Sequence, residues 1–214
     1  MDKYFALDTS GNGLCVVARK GEKKVKKFIP DCAMKHSVTW LKTVEEALEE
    51  LGLKPEECQF FGAVVGAGSF TGIRIGISAI KGFASAYDKK TLPITSFDTI
   101  AYNTIGKDEI EKDTKILCLV DAMHQAYYAC GYQFGEVVFP PSYLTEEEVL
   151  ALEKQGYVLC ANQPLEIDKK ANLRVFSQVE GLETAVEALS KKDAFGPLFA
   201  LYVRKSSAEL NLGK

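Results

Sequence analysis

The feature that most constrains this chain is a repeated order of hydrophobic patterns. Tyr4-Phe5-Ala6-Leu7-Asp8 reads as a strand, and Asp8 to Gly13 turns it into a second, Leu14 to Ala18. A charged tip, Arg19 to Lys24, leads to a third strand, Val25 to Ile29. A helix follows from Ser37 to Leu51, with Val38, Leu41, Val44, Leu48 and Leu51 at helical spacing and Gly52 as its stop. The continuous apolar run Phe60 to Val65 marks a strand buried on both faces. A glycine loop and a helix to about Tyr87 complete the unit. The second half restates it. Ile116 to Val120, Ala126 to Phe134 and Val137 to Phe139 are strands. Thr145-Glu146-Glu147-Glu148 opens a helix as a capping box, Tyr157 to Ala161 is a strand and Leu182 to Leu189 a helix. Two similar α/β lobes are predicted, residues 1–98 and a smaller 99–214, joined near Thr95 to Lys115. Ser206 to Lys214 reads as a short helix or a loose tail.

Composition narrows the function classes. The 214 residues are 47% hydrophobic and 26% charged, values of a globular protein with a real core. A net charge of -3 gives no general pull on nucleic acid. The six scattered cysteines (Cys15, Cys32, Cys58, Cys118, Cys130, Cys160) form no C-x-x-C pair and read as buried thiols in a reducing compartment. A cytoplasmic protein is expected, without signal peptide or membrane span.

Gly66-Ala67-Gly68-Ser69-Phe70-Thr71-Gly72 lies between a buried strand and a helix. It is neither the Rossmann fingerprint nor a Walker loop. Two readings remain: a tight turn with Ser69 or Thr71 as N-cap, and a phosphate-binding loop. In the helix beyond it, Arg74, Ser78, Lys81 and Ser85 form one narrow polar ridge and almost everything else is apolar or small. Such a helix needs cover on two sides, from its own sheet and from either the first helix or another polypeptide. Gly72 and Gly76 would let another helix approach, or fit against the sheet.

Asp8 and Asp121 each end the first strand of a lobe. In a two-lobed phosphotransferase such residues help to hold a metal–nucleotide, but Asp121-Ala122-Met123-His124-Gln125 brings no glycine, and a strand-end turn is the alternative. His36 and His124 lie in no zinc motif. His36 reads as a capping or packing residue. The lysines of Arg19 to Lys27 read as a solvated hairpin tip or an RNA-contacting patch.

Gly66 to Gly76 closely resembles the G-P-G-S-F-T-G-L-R-I-G signature of the bacterial TsaB (YeaZ) family. Leu7-Asp8-Thr9-Ser10, His36-Ser37, and Tyr202-Val203-Arg204 with Ala208-Glu209 resemble further elements of it. Ala67 replaces a proline, Met123 stands in place of an arginine and Ala200 in place of a proline. The resemblance implies an actin-like, sugar-kinase-like (ASKHA) fold of two ribonuclease-H-like lobes, the second reduced. It implies a non-catalytic subunit in threonylcarbamoyladenosine synthesis on tRNA. Such a subunit binds and activates a TsaD-like protein, works with a TsaE-like ATPase, and makes a homodimer when alone. ATP and metal would belong to the partners, the chain would hold no cofactor or metal, and tRNA contact would occur only within the complex. The expected interface is Leu41, Gly72, Ile73, Arg74, Gly76, Ile77, Ile80 and Lys81. Gly66, Gly68, Ser69, Phe70 and Thr71 are the signature loop, and Asp8, Thr9 and Ser10 a vestigial nucleotide site. The alternatives are a small ATP-dependent phosphotransferase of the same fold and a glycoprotease.

Overall fold

The computed structural model describes residues 2–104, 110–111 and 113–204. Ala208, Glu209 and the helix or tail expected from Ser206 lie outside the described residues. The first sheet contains β1 (Lys3–Asp8), β2 (Leu14–Lys20), β3 (Lys23–Ile29), β4 (Phe60–Val64) and β5 (Lys90–Ile94), in the order β3-β2-β1-β4-β5. The second contains β6 (Ile116–Asp121), β7 (Ala126–Gln133), β8 (Glu136–Thr145), β9 (Val158–Ala161) and β10 (Leu173–Val175), in the order β10-β9-β6-β7-β8. In each, an antiparallel three-strand meander is continued by two parallel strands, so the repeat inferred from sequence is a repeat of topology.

Among the described residues there are five α-helices: α1 (His36–Leu51), α2 (Phe70–Tyr87), α3 (Ser96–Thr104), α4 (Glu146–Lys154) and α5 (Gln178–Lys191). Gly52 ends α1 in a left-handed conformation, and Thr145 with Glu148 caps α4, both as expected. The charged hairpin tip is shorter than predicted, because Lys20 pairs with Lys23 and only Gly21 and Glu22 turn. Strand β5 escaped the sequence reading because Pro93 argues against a strand. The structure accommodates it at the end of the sheet order, where a missing N–H is tolerated.

Helices α1 and α2 cover one face of the first sheet through Phe5, Leu7, Val16, Val44, Leu48, Ile73, Ile77 and Ile80. Leu182, Ala185 and Val186 of α5 cover the other, over Tyr4, Ala6, Val17, Phe60 and Leu92. Meanwhile Phe97, Ile100 and Ala101 of α3 pack on Cys118, Cys130 and Cys160 of the second sheet. The expected division at residue 98 is therefore corrected. Helix α5 of the second half packs on the first sheet, Ile100 and Ala101 of α3 stay with the second, and the two helices cross where an added Cβ on Gly181 would lie 2.3 Å from the Thr99 carbonyl oxygen. Periodicity told that Leu182 to Leu189 is a helix but not which sheet it covers. All six cysteines are free and buried, and burial pushes the Cys58, Cys130 and Cys160 thiols up to about 12. No described helix is long and apolar enough to cross a membrane.

Candidate docking face and interlobe cleft

The signature loop is built by close backbone crossings. Gly66 and Gly68 have φ of 120° and 150°, and Cβ atoms there would meet the carbonyl oxygens of Leu201 at 2.5 Å and Ser10 at 2.4 Å. The Gly66–Ala67 peptide is cis, at the position where Ala67 replaces the family's proline. The Ser69 amide donates to the Ser10 carbonyl at 2.7 Å, and the Gly72 amide donates to Ser69 Oγ at 3.2 Å. Of the two N-cap candidates, Ser69 is the cap and Thr71 is an exposed first-turn residue. Thr9 Oγ1 donates to the Gly72 carbonyl at 2.7 Å, and a Cβ on Gly72 would lie 2.0 Å from the Thr9 carbonyl oxygen. At Gly76 it would lie 2.7 Å from Thr9 Oγ1.

These contacts correct the expected interface. Gly72, Ile73, Gly76, Ile77 and Ile80 are buried against the chain's own first sheet, and the glycines admit the end of β1 rather than a foreign helix. Leu41, Arg74 and Lys81 do stay exposed. Arg74 lies 3.9 Å over the Phe70 ring and donates from Nε to the Tyr202 hydroxyl at 3.0 Å, while Tyr202 stacks on Phe70.

The outward side of the helix pair is apolar nonetheless. Trp40 of α1 and Ser78, Ala79, Gly82, Phe83, Ala86 and Tyr87 of α2 line an open groove of about 400 Å³. Just before and along α1, Met34 is 95% exposed, Val38 78% and Leu41 43%. The apolar stripe read along α1 is thus divided: Val44, Leu48 and Leu51 are core, while Val38 and Leu41 face out. Sequence reasoning missed the groove residues. The small residues Ser78, Gly82 and Ala86, four apart, were the available signal for a trough along α2.

At the end of β1, Asp8 is 1% exposed. Its Oδ1 accepts from the Ser10 amide at 2.8 Å and hydroxyl at 2.7 Å, and its Oδ2 accepts from Gln178 Nε2 of α5 at 3.0 Å. Asp8, Ser10, Gly11, Ser96 and Gln178 meet Leu119, Val120 and Asn162 of the second sheet's lobe around a cavity of about 40 Å³. That is far below the roughly 300 Å³ at which small-ligand pockets begin. Asp121 takes the turn reading. It is exposed and its Oδ1 accepts from the Met123 amide at 2.8 Å, within a loop where Met123, His124 and Gln125 all have positive φ. His36 is a buried packing residue at the start of α1. Burial lowers its pKa below the usual 6.5, outweighing the Gly13 backbone hydrogen bond and the Asp8 charge. The lysine run is not simply a solvated tip. Lys24 pairs with Glu183 and Glu187 of α5 at 2.6 Å, and Lys26 with Glu183 at 3.1 Å. Among the described residues, no group of three or more His, Cys, Asp or Glu side chains is arranged to hold a metal.

Two sheets of one topology with a cleft between their first strands define a two-lobed protein of the actin-like class. A Bacteroides thetaiotaomicron protein with an actin-like ATPase fold superposes on 87% of the chain, with a TM-score of 0.50 at 7% identity. A Pseudomonas aeruginosa protein described as similar to peptidase YeaZ covers 95% of this chain and 100% of its own, with a TM-score of 0.79 at 18% identity. The family model "TsaD: tRNA N6-adenosine threonylcarbamoyltransferase" matches residues 22–209. The Bacillus subtilis "tRNA threonylcarbamoyladenosine biosynthesis protein TsaB" is 28% identical over 130 residues, 61% of this chain and 55% of that protein. The chain belongs to this family, as a member of its TsaB (YeaZ) group. It spans about half the length of the curated relatives it matches.

Proposed function

We propose that this chain serves tRNA threonylcarbamoyladenosine synthesis in the cytoplasm as a non-catalytic subunit. It docks on a TsaD-like protein through the α1–α2 face and stabilises it for threonylcarbamoyl transfer. A TsaE-like ATPase joins the pair, tRNA is met within the complex, and a second copy of the chain takes the face when the partner is absent. The observation that carries this reading is the apolar groove of Trp40, Gly82, Phe83, Ala86 and Tyr87, together with the exposed Met34, Val38 and Leu41 before and along α1. Solvent-exposed apolar surface gathered on one helix pair is the mark of a protein interface. Two features support the absence of chemistry. Asp8 already accepts three hydrogen bonds from its own chain, and the cleft beside it is an order of magnitude too small for a nucleotide.

Light scattering on size-exclusion fractions tests the reading, with the chain alone and mixed with the TsaD-like protein of the same organism. A homodimer that exchanges into a one-to-one heterodimer is expected. Gly82→Arg should abolish both, because nothing lies within 4 Å of a Cβ at Gly82 and the fold has no reason to change. A monomer indifferent to the partner would overturn it, and stoichiometric ATP binding lost on Asp8→Asn would favour the phosphotransferase alternative.

A further inference from the structure

Beyond α5 the chain continues through Leu198 to Arg204 as a strap without regular structure. Its inward side chains anchor it to both lobes. Leu198 and Ala200 pack into the core between the first sheet and the α1–α2 pair, and Leu201 and Val203 into the core of the second sheet and α3. The Leu201 amide donates to the Val65 carbonyl at 2.7 Å. Between these anchors Phe199 is 73% exposed and Tyr202 40%, and Arg204 is exposed beyond them. Two arginines lie along this strap, and tyrosines hold them, not acids. Arg74 donates from Nε to the Tyr202 hydroxyl at 3.0 Å, and Tyr202 stacks on Phe70. Arg204 lies 4.7 Å over the Tyr143 ring of β8 and donates from Nη1 to its hydroxyl at 3.2 Å. Among the described residues no carboxylate is paired with either, whereas Arg19 is paired with Glu187, and Lys24 with Glu183 and Glu187.

We propose that this strap is a contact for single-stranded RNA, with the Arg74 and Arg204 guanidiniums on two phosphates and a base stacked on the Tyr202 ring. A guanidinium fixed through one N–H by a neutral phenol keeps its charge uncompensated. Its remaining N–H groups form the planar fork that matches a phosphate. Exposed aromatic rings beside such arginines suit unpaired nucleotides, because the ring takes the base face and the guanidinium the backbone. A duplex fits less well, since its base faces are already stacked on one another. The net charge of -3 gives no general attraction, so the affinity rests on this local arrangement. The anchors on both lobes hold the outward groups in place before the strand arrives, which lowers the ordering cost of binding. Arg74 stands one turn before Ser78, the first α2 residue of the apolar groove, so the strap lies past the groove's end. That the strand is an unpaired part of a tRNA rests on the function proposed above; the binding of RNA does not.

The test is fluorescence anisotropy of a labelled oligoadenylate of about 12 nucleotides, titrated with the full chain. Saturable binding is expected, with a slope of log affinity against log salt of about -1.4, the value for two phosphates on a single strand. An abasic strand of the same length should bind about tenfold more weakly or worse, and Tyr202→Ala should cost a similar factor. Should Tyr202→Ala disturb the strap, Arg204→Ala and Arg74→Ala, both at exposed positions, should each weaken binding and flatten the salt slope by about 0.7. No binding by the parent chain, an abasic strand bound as tightly, or full affinity in both arginine variants would each overturn the proposal. Light scattering with the TsaD-like partner separates it from docking. All three variants should form the heterodimer as the parent does, and its loss in Arg74→Ala would give that residue to the docking face and overturn its place here. RNA binding by a chain that ignores the partner would support the strap and overturn only the docking reading.

Discussion

Gly76 and Gly82 lie six residues apart on α2, the first against Thr9 and the second on the open groove, so substitutions there should separate folding from docking. A methyl group on Gly76 meets Thr9 Oγ1 at 2.7 Å and must displace the hydroxyl that donates to the Gly72 carbonyl. Gly76→Ala should cost about 1–3 kcal/mol in a thermal or denaturant melt, and a bulkier residue there would report on folding, not on partner affinity. Gly82→Arg should leave the melt within about 0.5 kcal/mol of the parent, as surface changes usually do. Two buried titrating residues give the chain distinct acid limbs. For His36 the folded pKa lies below 6.5, so the unfolded chain takes the proton first, and stability should fall as pH drops from about 7 through 6.5. Glu183 behaves differently. Burial pushes its pKa up, but hydrogen bonds from Lys24 and Lys26 outweigh this and the net shift is below 4.5. Its contribution is present above that value and is lost as pH falls through the lower folded value. Urea melts from pH 8 to pH 3 should show both limbs, with His36→Gln flattening only the upper one and Glu183→Gln only the lower.

At the scale of elements, the packing of α5 on the first sheet decides what can fold alone. A chain of residues 1–98 would expose Tyr4, Ala6, Val17, Phe60, Val64, Leu92 and Ile94, the face that α5 covers. Seven side chains of which several are large amount to roughly 10 kcal/mol of lost burial, comparable with the whole stability of a domain. The fragment is expected to aggregate or give a collapsed amide spectrum, and mixing with residues 99–214 should restore dispersion. A well-dispersed spectrum from 1–98 alone would contradict this dependence. Gly181→Val tests the crossing itself: its Cβ would lie 2.3 Å from backbone, which does not yield as a side chain does, so loss of about 1–3 kcal/mol is expected. None of this crossover was legible beforehand. The strands of the meanders announced themselves by alternation and apolar runs, and α4 by its capping box, because those signals are local. Pro93 concealed β5, and the three-residue β10 is too short to leave a pattern. Which sheet α5 covers depends on contacts between residues more than 80 positions apart, such as Val17 with Val186, and no local period encodes that.

For the whole molecule, the same limit explains why the apolar excess of α2 was found and the side it buries was misassigned. The apolar excess of α2 was legible, since Ile73, Ile75, Ile77, Ala79, Ile80 and Phe83 surround one polar ridge. The side turned to the sheet was not, because glycines serve a close approach to either neighbour. The structure puts the glycine and isoleucine side inward and leaves Trp40 and Phe83 half-buried and Ala86 and Tyr87 exposed at the groove. A complex through that face should carry the thermodynamic signature of apolar burial. The exposed charges of the two helices include Lys42, Glu45, Glu46 and Glu49 on α1 and Arg74 and Lys81 on α2, with Lys42 paired to Glu46 at 3.8 Å. Exposed pairs of this kind contribute little and are screened within about 3 Å at 1 M salt. Titration calorimetry with the TsaD-like partner should therefore give a negative heat-capacity change, and an affinity that varies less than about tenfold between 0.1 and 1 M sodium chloride. Val38→Asp and Leu41→Asp, both on exposed positions, should each weaken the complex about tenfold or more, since a charge is placed where apolar surface would be covered. A complex that dissolves in high salt while tolerating both aspartates would mean the partner is held by charge elsewhere on the molecule. The homodimer should respond to the same two substitutions in the same order, because one face cannot serve a second copy and a partner at once; a dimer untouched by them would place self-association on a different surface.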